Sequence, residues 1–456
     1  MGKRFLSALL LSTILLSGCA SSTVKQSNDT KSPEEISKMN DSIVIELNGD
    51  KATLDGQAVE EFDYTWYSDP SKSEEWYEGT KPETDKSAYI AHDIWYYPEL
   101  NADGFTKIDY DGETEWAYYY TAEGLTEYVY ATLPIQGENI PTEMMHSAKE
   151  AYDNSVLHIT KPGTYSLQGN WNGQIMIDLG EKDETFDDDK SKVKLILNGV
   201  DVNCTVAPAF IAYSAFECDN GWEEREDYSN NVSTADAGVV VEIADNTINN
   251  FSGTNIYRML KPQYKKDDSV VQKKLRKIDG AFYSFVSMNI GGQEKGTGIL
   301  NITGGFEGLD DELHLTINSG NINIYAQNDG INVNEDNVSV FTMNGGTLHI
   351  FAGLGAEGDG IDSNGYIVVN GGMIAGGTPS GSDELLDSDC GNTINGGNVI
   401  TIGSNKEFGM PDRAFDKEPP KDFDKEPPKD LDGEPPKEFD EDKKPIGEIE
   451  DEKNME

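Results

Sequence analysis

Between Asp279 and about Asn405 the chain repeats itself. Each row opens on an acidic residue, usually followed by Gly and an apolar residue. The openings are Asp279-Gly280-Ala281, Glu307-Gly308-Leu309, Asp329-Gly330-Ile331, Asp359-Gly360-Ile361 and Glu384-Leu385-Leu386. Each row closes on a Gly-containing turn, and the turns at Ser319-Gly320, Gly345-Gly346, Gly371-Gly372 and Gly396-Gly397 step by 26, 26 and 25 residues. Between opening and turn lie short β-branched runs such as Thr347-Leu348-His349-Ile350 and Tyr366-Ile367-Val368-Val369, too short for helices. A fixed period of this size with short strands and Gly turns specifies a solenoid, in which no row buries its apolar side alone. Asn318, Asn344, Asn370 and Asn395 each precede a turn, where Asn tolerates left-handed backbone and bonds its own chain. The expected fold is all-β, a right-handed parallel β-helix, the hand following from that of parallel crossovers.

Charge sharpens the expectation. Stacked rows bring equivalent residues about 4.8 Å apart. The openings form one ladder, Asp279, Glu307, Asp329, Asp359 and Glu384. Three positions on, a second reads Phe282, Asp310, Asn332, Asp362 and Asp387, with Asp311, Glu312, Asn364 and Asp389 close by. Two unit charges at that spacing repel by roughly 3.5 kcal/mol at an effective dielectric near 20. Raised pKa values, basic partners or bound cations relieve such repulsion. Residues 296–405 contain fourteen Asp and Glu but no Lys or Arg. Turn positions beside Gly are expected to be wet, which argues against raised pKa values. Cations remain, and a set of hard oxygen donors without a Cys/His cluster points to Ca2+ rather than zinc. The candidate metal ligands are Asp329, Asp359, Asp362, Asp310, Asp311, Glu307, Glu384, Asp387 and Asp389. The formal charge of −47 excludes a nucleic-acid partner, which needs Lys and Arg, and disfavours adsorption on anionic membranes.

The rest of the chain divides around this coil. Residues 1–18 read as a lipoprotein signal peptide: Lys3 and Arg4, an apolar stretch from Leu9 to Leu16, then Leu16-Ser17-Gly18-Cys19, which places lipidation at Cys19 and a membrane anchor outside the cell. Residues 19–40 form a flexible linker and 41–61 N-terminal cap strands. Residues 62–150 form an aromatic-rich insertion. There, Trp95 and Trp116 are candidate sugar-stacking residues, although such clusters also form cores. Residues 151–407 form the coil, whose earlier rows are less regular. Asp183 to Lys190 and Glu223 to Asn231 are acidic loops, and 258–277 is a basic insertion. Cys204 and Cys218 either close a loop or serve as small core residues. Residues 408–456, with the octads beginning at Phe415, Phe423, Leu431 and Phe439 and their Pro pairs, form a disordered tail.

The acid-Gly-Ile rows, Asp359 to Asn364 followed by Gly371-Gly372, and Leu195-Ile196-Leu197-Asn198-Gly199-Val200 resemble a family of secreted bacterial carbohydrate-binding β-helix lipoproteins. The resemblance covers roughly residues 150–405. It implies a pectate-lyase-like fold, calcium as cofactor, and an acidic polysaccharide such as polygalacturonate as partner. It bears most directly on Asp329, Asp359 and Asp362. Glu384-Leu385-Leu386 departs from the pattern, so Glu384 and Asp387 rest on the ladder alone. Three functions stay open at this point: a non-catalytic binding module, a polysaccharide lyase or glycoside hydrolase, and a structural surface protein or adhesin. A lyase needs a basic residue beside the calcium, and only Lys295 and the 258–277 loop offer one. A hydrolase needs two carboxylates about 5–10 Å apart, a condition that Asp310 and Asp311 among many others meet.

Overall fold

In a computed structural model, residues 42–62, 85–94, 105–110, 115–120, 126–130, 146–222, 228–264, 270–355, 358–379 and 383–402 are described. The signal peptide, Cys19, the linker, Trp95 and the Pro-rich tail lie outside the described residues.

The five repeating rows are five coils of three strands each. The first coil holds Gly280–Ser284, Met288–Gly292 and Ile299–Gly304, and the last holds Leu386–Ser388, Gly391–Ile394 and Asn398–Thr401. Every strand pairs in parallel with the equivalent strand of the next coil, as in Leu309↔Ile331↔Ile361↔Leu386. Three earlier coils precede them. These use long strands that run across a corner, such as Gly163–Asp178 and Val193–Asn203. The result is a three-sided parallel solenoid. Its faces are named here by the first, second and third strands of each coil.

The core is one apolar column per inward position. Leu309, Ile331 and Ile361 fill it from the first strands, Leu315, Phe341 and Ile367 from the second, and Ile322, Leu348 and Ile374 from the third, all without solvent exposure. The acid-Gly-Ile motif follows from this packing. Ile points into the core, and Gly sits where the chain turns tightly against it. A Cβ at Gly330 would lie 2.3 Å from Ile350 Cγ2 and 2.6 Å from the Gly360 carbonyl. At the turns after the second strands, left-handed backbone falls on the second Gly, with φ of 86° at Gly346 and 84° at Gly372. The preceding Asn is therefore not needed for left-handed backbone. It builds a side-chain ladder instead: Asn344 Nδ2 donates to Asn318 Oδ1 (2.8 Å), Asn370 to Asn344 (2.9 Å) and Asn395 to Asn370 (2.8 Å).

Part of the expected insertion belongs to the solenoid. Ala88–Ala91 pairs antiparallel with Ser155–Ile159, and Ile43–Gly49 pairs with Gly163–Asp178. Together they close two strand edges at the N-terminal end that would otherwise template aggregation. Phe105–Tyr110, Glu115–Tyr120 and Thr126–Tyr130 form a separate three-stranded antiparallel sheet. The basic insertion is a hairpin of Ile256–Tyr264 and Val270–Ile278. Cys204, Cys218 and Cys390 are free thiols, so the 204–218 loop is not closed by a disulfide. Burial pushes the Cys204 and Cys218 thiols up to about 12, which leaves them inert.

Candidate functional site: carboxylate columns and an amide–aromatic face

The carboxylates stand on the first-strand face, and the strand register corrects their first row. Gly280, not Asp279, is level with Glu307, and Tyr283, not Phe282, is level with Asp310. The second column therefore reads Tyr283, Asp310, Asn332, Asp362 and Asp387. Asp279 still reaches it, its backbone N–H donating to Asp310 Oδ2 at 3.3 Å.

The columns are not uniformly wet. Asp279, Glu307, Asp310 and Asp311 are 0–1% exposed, Asp359 and Asp362 are half-buried, and Asp387 and Asp389 are exposed. The expectation of solvated turn carboxylates thus fails at the N-terminal end of the columns and holds only towards the last coil. Raised pKa values, set aside on the sequence, do occur. Burial holds the Asp311 carboxyl well above the usual carboxylate range, and Glu217 and Glu312 add to it. Burial pushes Asp359 up to about 7, and Asp329, Asp387 and Asp362 raise it further against a lowering hydrogen bond from Glu384. Tyr283 is raised too, first by burial and then by Glu312, to which it donates, and by Asp310.

Backbone groups also take up carboxylate oxygens. Asp329 Oδ1 accepts the N–H of Asp359 (2.6 Å), and Asp359 Oδ1 accepts that of Glu384 (2.6 Å). Asp329 and Asp359 thereby each satisfy the N–H of the next coil's opening residue, a relief of charge that needs neither base nor metal. Asn332 Nδ2 donates to Glu307 Oε1 at 3.2 Å, and Asn334 Nδ2 donates to Asp310.

Asp311 does not share the outer face. It lies on the same side of its strand as the core residue Leu309, in a column that reads Ser284, Asp311, Val333, Ser363 and Ser388. Its Oδ1 accepts the Leu313 N–H (3.0 Å), just as Ser284 accepts that of Val286, Ser363 that of Gly365 and Ser388 that of Gly391. Asp311 is a turn-bonding residue, and the serines at its level are the sequence signal that marks it. Among the described residues, no three His, Cys, Asp or Glu side chains converge as a ready-made metal cage. The second-strand face is overlaid by residues 228–237, where Thr234 Oγ1 bonds Asn289 Oδ1 (2.8 Å) and Thr316 Oγ1 (2.6 Å). Lys295 lies on the corner between second and third strands, its N–H held by Asp245 Oδ2 at 2.9 Å. That corner is across the solenoid from the carboxylates.

The third-strand face carries a feature that the sequence reading missed. Asn250, Asn301, Asn323 and His349 stand level on successive strands. Asn301 Nδ2 donates to Asn250 Oδ1 (2.8 Å), Asn323 Nδ2 to Asn301 Oδ1 (2.8 Å), and His349 Nδ1 contacts Asn323 Oδ1 (2.9 Å). Two residues further along the same strands, Tyr325 and Phe351 stack with centroids 5.6 Å apart and planes within 14°. They are 47% and 38% exposed. The backbone of Trp116 is described in the separate sheet, but its side chain, like that of every residue from 257 to 277, lies outside the described set.

Comparison with known proteins bears on this region. Residues 224–425 match a family model described as carbohydrate-binding domain-containing protein. That span holds both the carboxylate columns and the amide–aromatic face and excludes the aromatic insertion. A carbohydrate-binding domain-containing protein of Acetivibrio thermocellus is 28% identical over 171 residues, 37% of this chain and 44% of the relative. The matched region thus spans less than half of that relative's length. A solved structure of a polysaccharide lyase-like protein from C. thermocellum, a gadolinium derivative, aligns with a TM-score of 0.34 at 23% identity, over 54% of this chain and 85% of that one.

Proposed function

We propose that the chain is a non-catalytic carbohydrate-binding protein, tethered outside the cell through a lipid on Cys19, that takes acidic polysaccharide of the polygalacturonate type through calcium. The family match over residues 224–425 supports carbohydrate binding. One observation carries the finer reading. At the exposed end of the columns, Asp359 and Asp362 of one coil stand level with Glu384 and Asp387 of the next, four carboxylates on adjacent strands with no Lys or Arg between residues 296 and 405.

These residues fit calcium in donor type and charge: all their ligand atoms are hard oxygens. Asp359, Asp362 and Asp387 would hold the ion, and uronate carboxylates of the ligand would supply further oxygens. Asp311, on the core side of its strand, is not among the proposed ligands. Glu307 and Asp310 are buried away from any polymer. The non-catalytic reading is supported by the position of Lys295, across the solenoid from the carboxylates.

The test is binding of polygalacturonate to the full chain, with calcium and with excess chelator. Binding that needs calcium and is lost in an Asp362→Asn/Asp387→Asn variant is expected. Binding unchanged by chelation overturns the calcium bridge. An unsaturated product absorbing in the ultraviolet, or new reducing ends, overturns the non-catalytic reading.

A further inference from the structure

The third-strand face is independent of the carboxylates, and its chemistry is different. From Ile248 onward its outward positions carry no Asp, Glu, Lys or Arg. They are Ile248, Ile299, Asn321, Thr347, Met373 and Asn398 in one column, the amide ladder with His349, Ala375 and Ile400 in the next, and Ser252, Thr303, Tyr325, Phe351 and Gly377 in the third. In a chain of formal charge −47, this is a neutral surface.

The Tyr325–Phe351 stack is also incomplete. The column continues through exposed Thr303 on one side, whose small side chain does not fill the next layer, and on the other through Gly377, which is buried under the Ile402 backbone. A flat ring with an apolar face and polar edges completes the layer over Thr303. A pyranose has that form, its C–H face complementing an aromatic ring and its hydroxyls lying at the rim.

The rim groups are already aligned. Asn301 and Asn323 each spend one amide N–H on the neighbour and keep the second. Since Asn323 Oδ1 is an acceptor, His349 Nδ1 donates to it, which leaves Nε2 of the neutral ring as an acceptor on a half-buried side chain. Because the ladder fixes the rotamers of these groups, little side-chain entropy is left to lose on binding.

We propose that the face bearing Asn301, Asn323, Tyr325, His349 and Phe351 is a second, metal-independent binding surface for an uncharged pyranose chain, with one sugar stacked on Tyr325 over Thr303. This goes beyond the calcium-dependent reading and stands without it.

The experiment is calorimetric titration of the full chain with cellohexaose, xylohexaose and mannohexaose in excess EDTA. At least one is expected to bind. Tyr325→Ala/Phe351→Ala is expected to weaken that binding at least tenfold, whereas Asp362→Asn/Asp387→Asn leaves it unchanged. Thr303→Arg, whose guanidinium stacks on Tyr325 and fills the open layer, is expected to abolish it while altering only an exposed position. Failure of all three sugars to bind overturns the proposal, as does wild-type affinity in Thr303→Arg or in the double aromatic variant. Loss of polygalacturonate binding alone overturns the other reading and leaves this one standing.

Discussion

Asp359 is where burial and like charge act on one carboxyl. Its pKa in the fold is pushed up to about 7, against an ordinary value near 4 in the unfolded chain. A raised folded-state value contributes stability that is fully present below about pH 4 and is lost as the pH rises through 7. Asp359→Asn keeps the Oδ1 acceptor for the Glu384 N–H and removes the titration. Urea midpoints measured in EDTA are therefore expected to fall between pH 4 and 7 in the wild type and to fall less steeply in the variant. Equal slopes would show that Asp359 does not carry the effect. Asp311 makes a different prediction. Asp311→Ser restores the residue found at three equivalent positions and is expected to change stability by less than about 1 kcal/mol. Asp311→Ala orphans the Leu313 N–H and is expected to cost about 1–3 kcal/mol, read from chemical denaturation at neutral pH. In the sequence, Asp310 and Asp311 look alike. Their difference is one of strand parity, counted from Leu309, and parity becomes certain only once the register is known.

The strand and its turn are the level at which most of the architecture was legible. The five openings, the Gly turns and their period correspond to five coils, because packing an apolar column at fixed spacing leaves few other sequences. Register at the first regular coil was not legible. The basic hairpin enters immediately before Asp279, so that row has no preceding turn from which to count. Burial of the columns was not legible either. Solvent access to an outward position depends on what lies over it, which no repeat records. The amide–aromatic face was missed for a related reason: Asn, Thr, Tyr and His in β-runs also read as ordinary solvated positions. Two substitutions test the element-level account. Gly330→Ala drives a methyl group into Ile350 and the Gly360 carbonyl and is expected to destabilise the fold by about 1–3 kcal/mol. Asn344→Ala removes a donor and an acceptor from the middle of an exposed ladder, and is expected to cost less, about 0.5–1.5 kcal/mol per bond lost.

For the whole molecule, the strands are quasi-one-dimensional, each pairing only with the turns beside it, so stability is close to a sum of turns and interfaces, with residues 228–237 as a strap that ties distant turns together through Asn230 and Thr393 (3.0 Å). Gly330 and Gly360 occupy equivalent positions, since Leu309, Ile331 and Ile361 are level. Excising residues 330–359 therefore joins Asp329 to Gly360 and removes one complete coil. The shortened chain is expected to keep its β circular dichroism and unfold cooperatively at a lower denaturant midpoint. Removing only residues 330–344 breaks the phase and is expected to abolish the fold. Survival of both, or of neither, would refute independence of the coils.

A solenoid of this kind lengthens by duplicating turns, and its apolar column sets no upper limit. Its charge does. Every added turn of this composition brings two or more acids and no base, so the electrostatic work of the next turn grows with those already present. Salt and divalent ions in the medium decide when that work exceeds the gain from burying one more layer. Lengthening the coil by further turns of this composition is therefore expected to make its stability depend more steeply on dissolved salt and divalent ions.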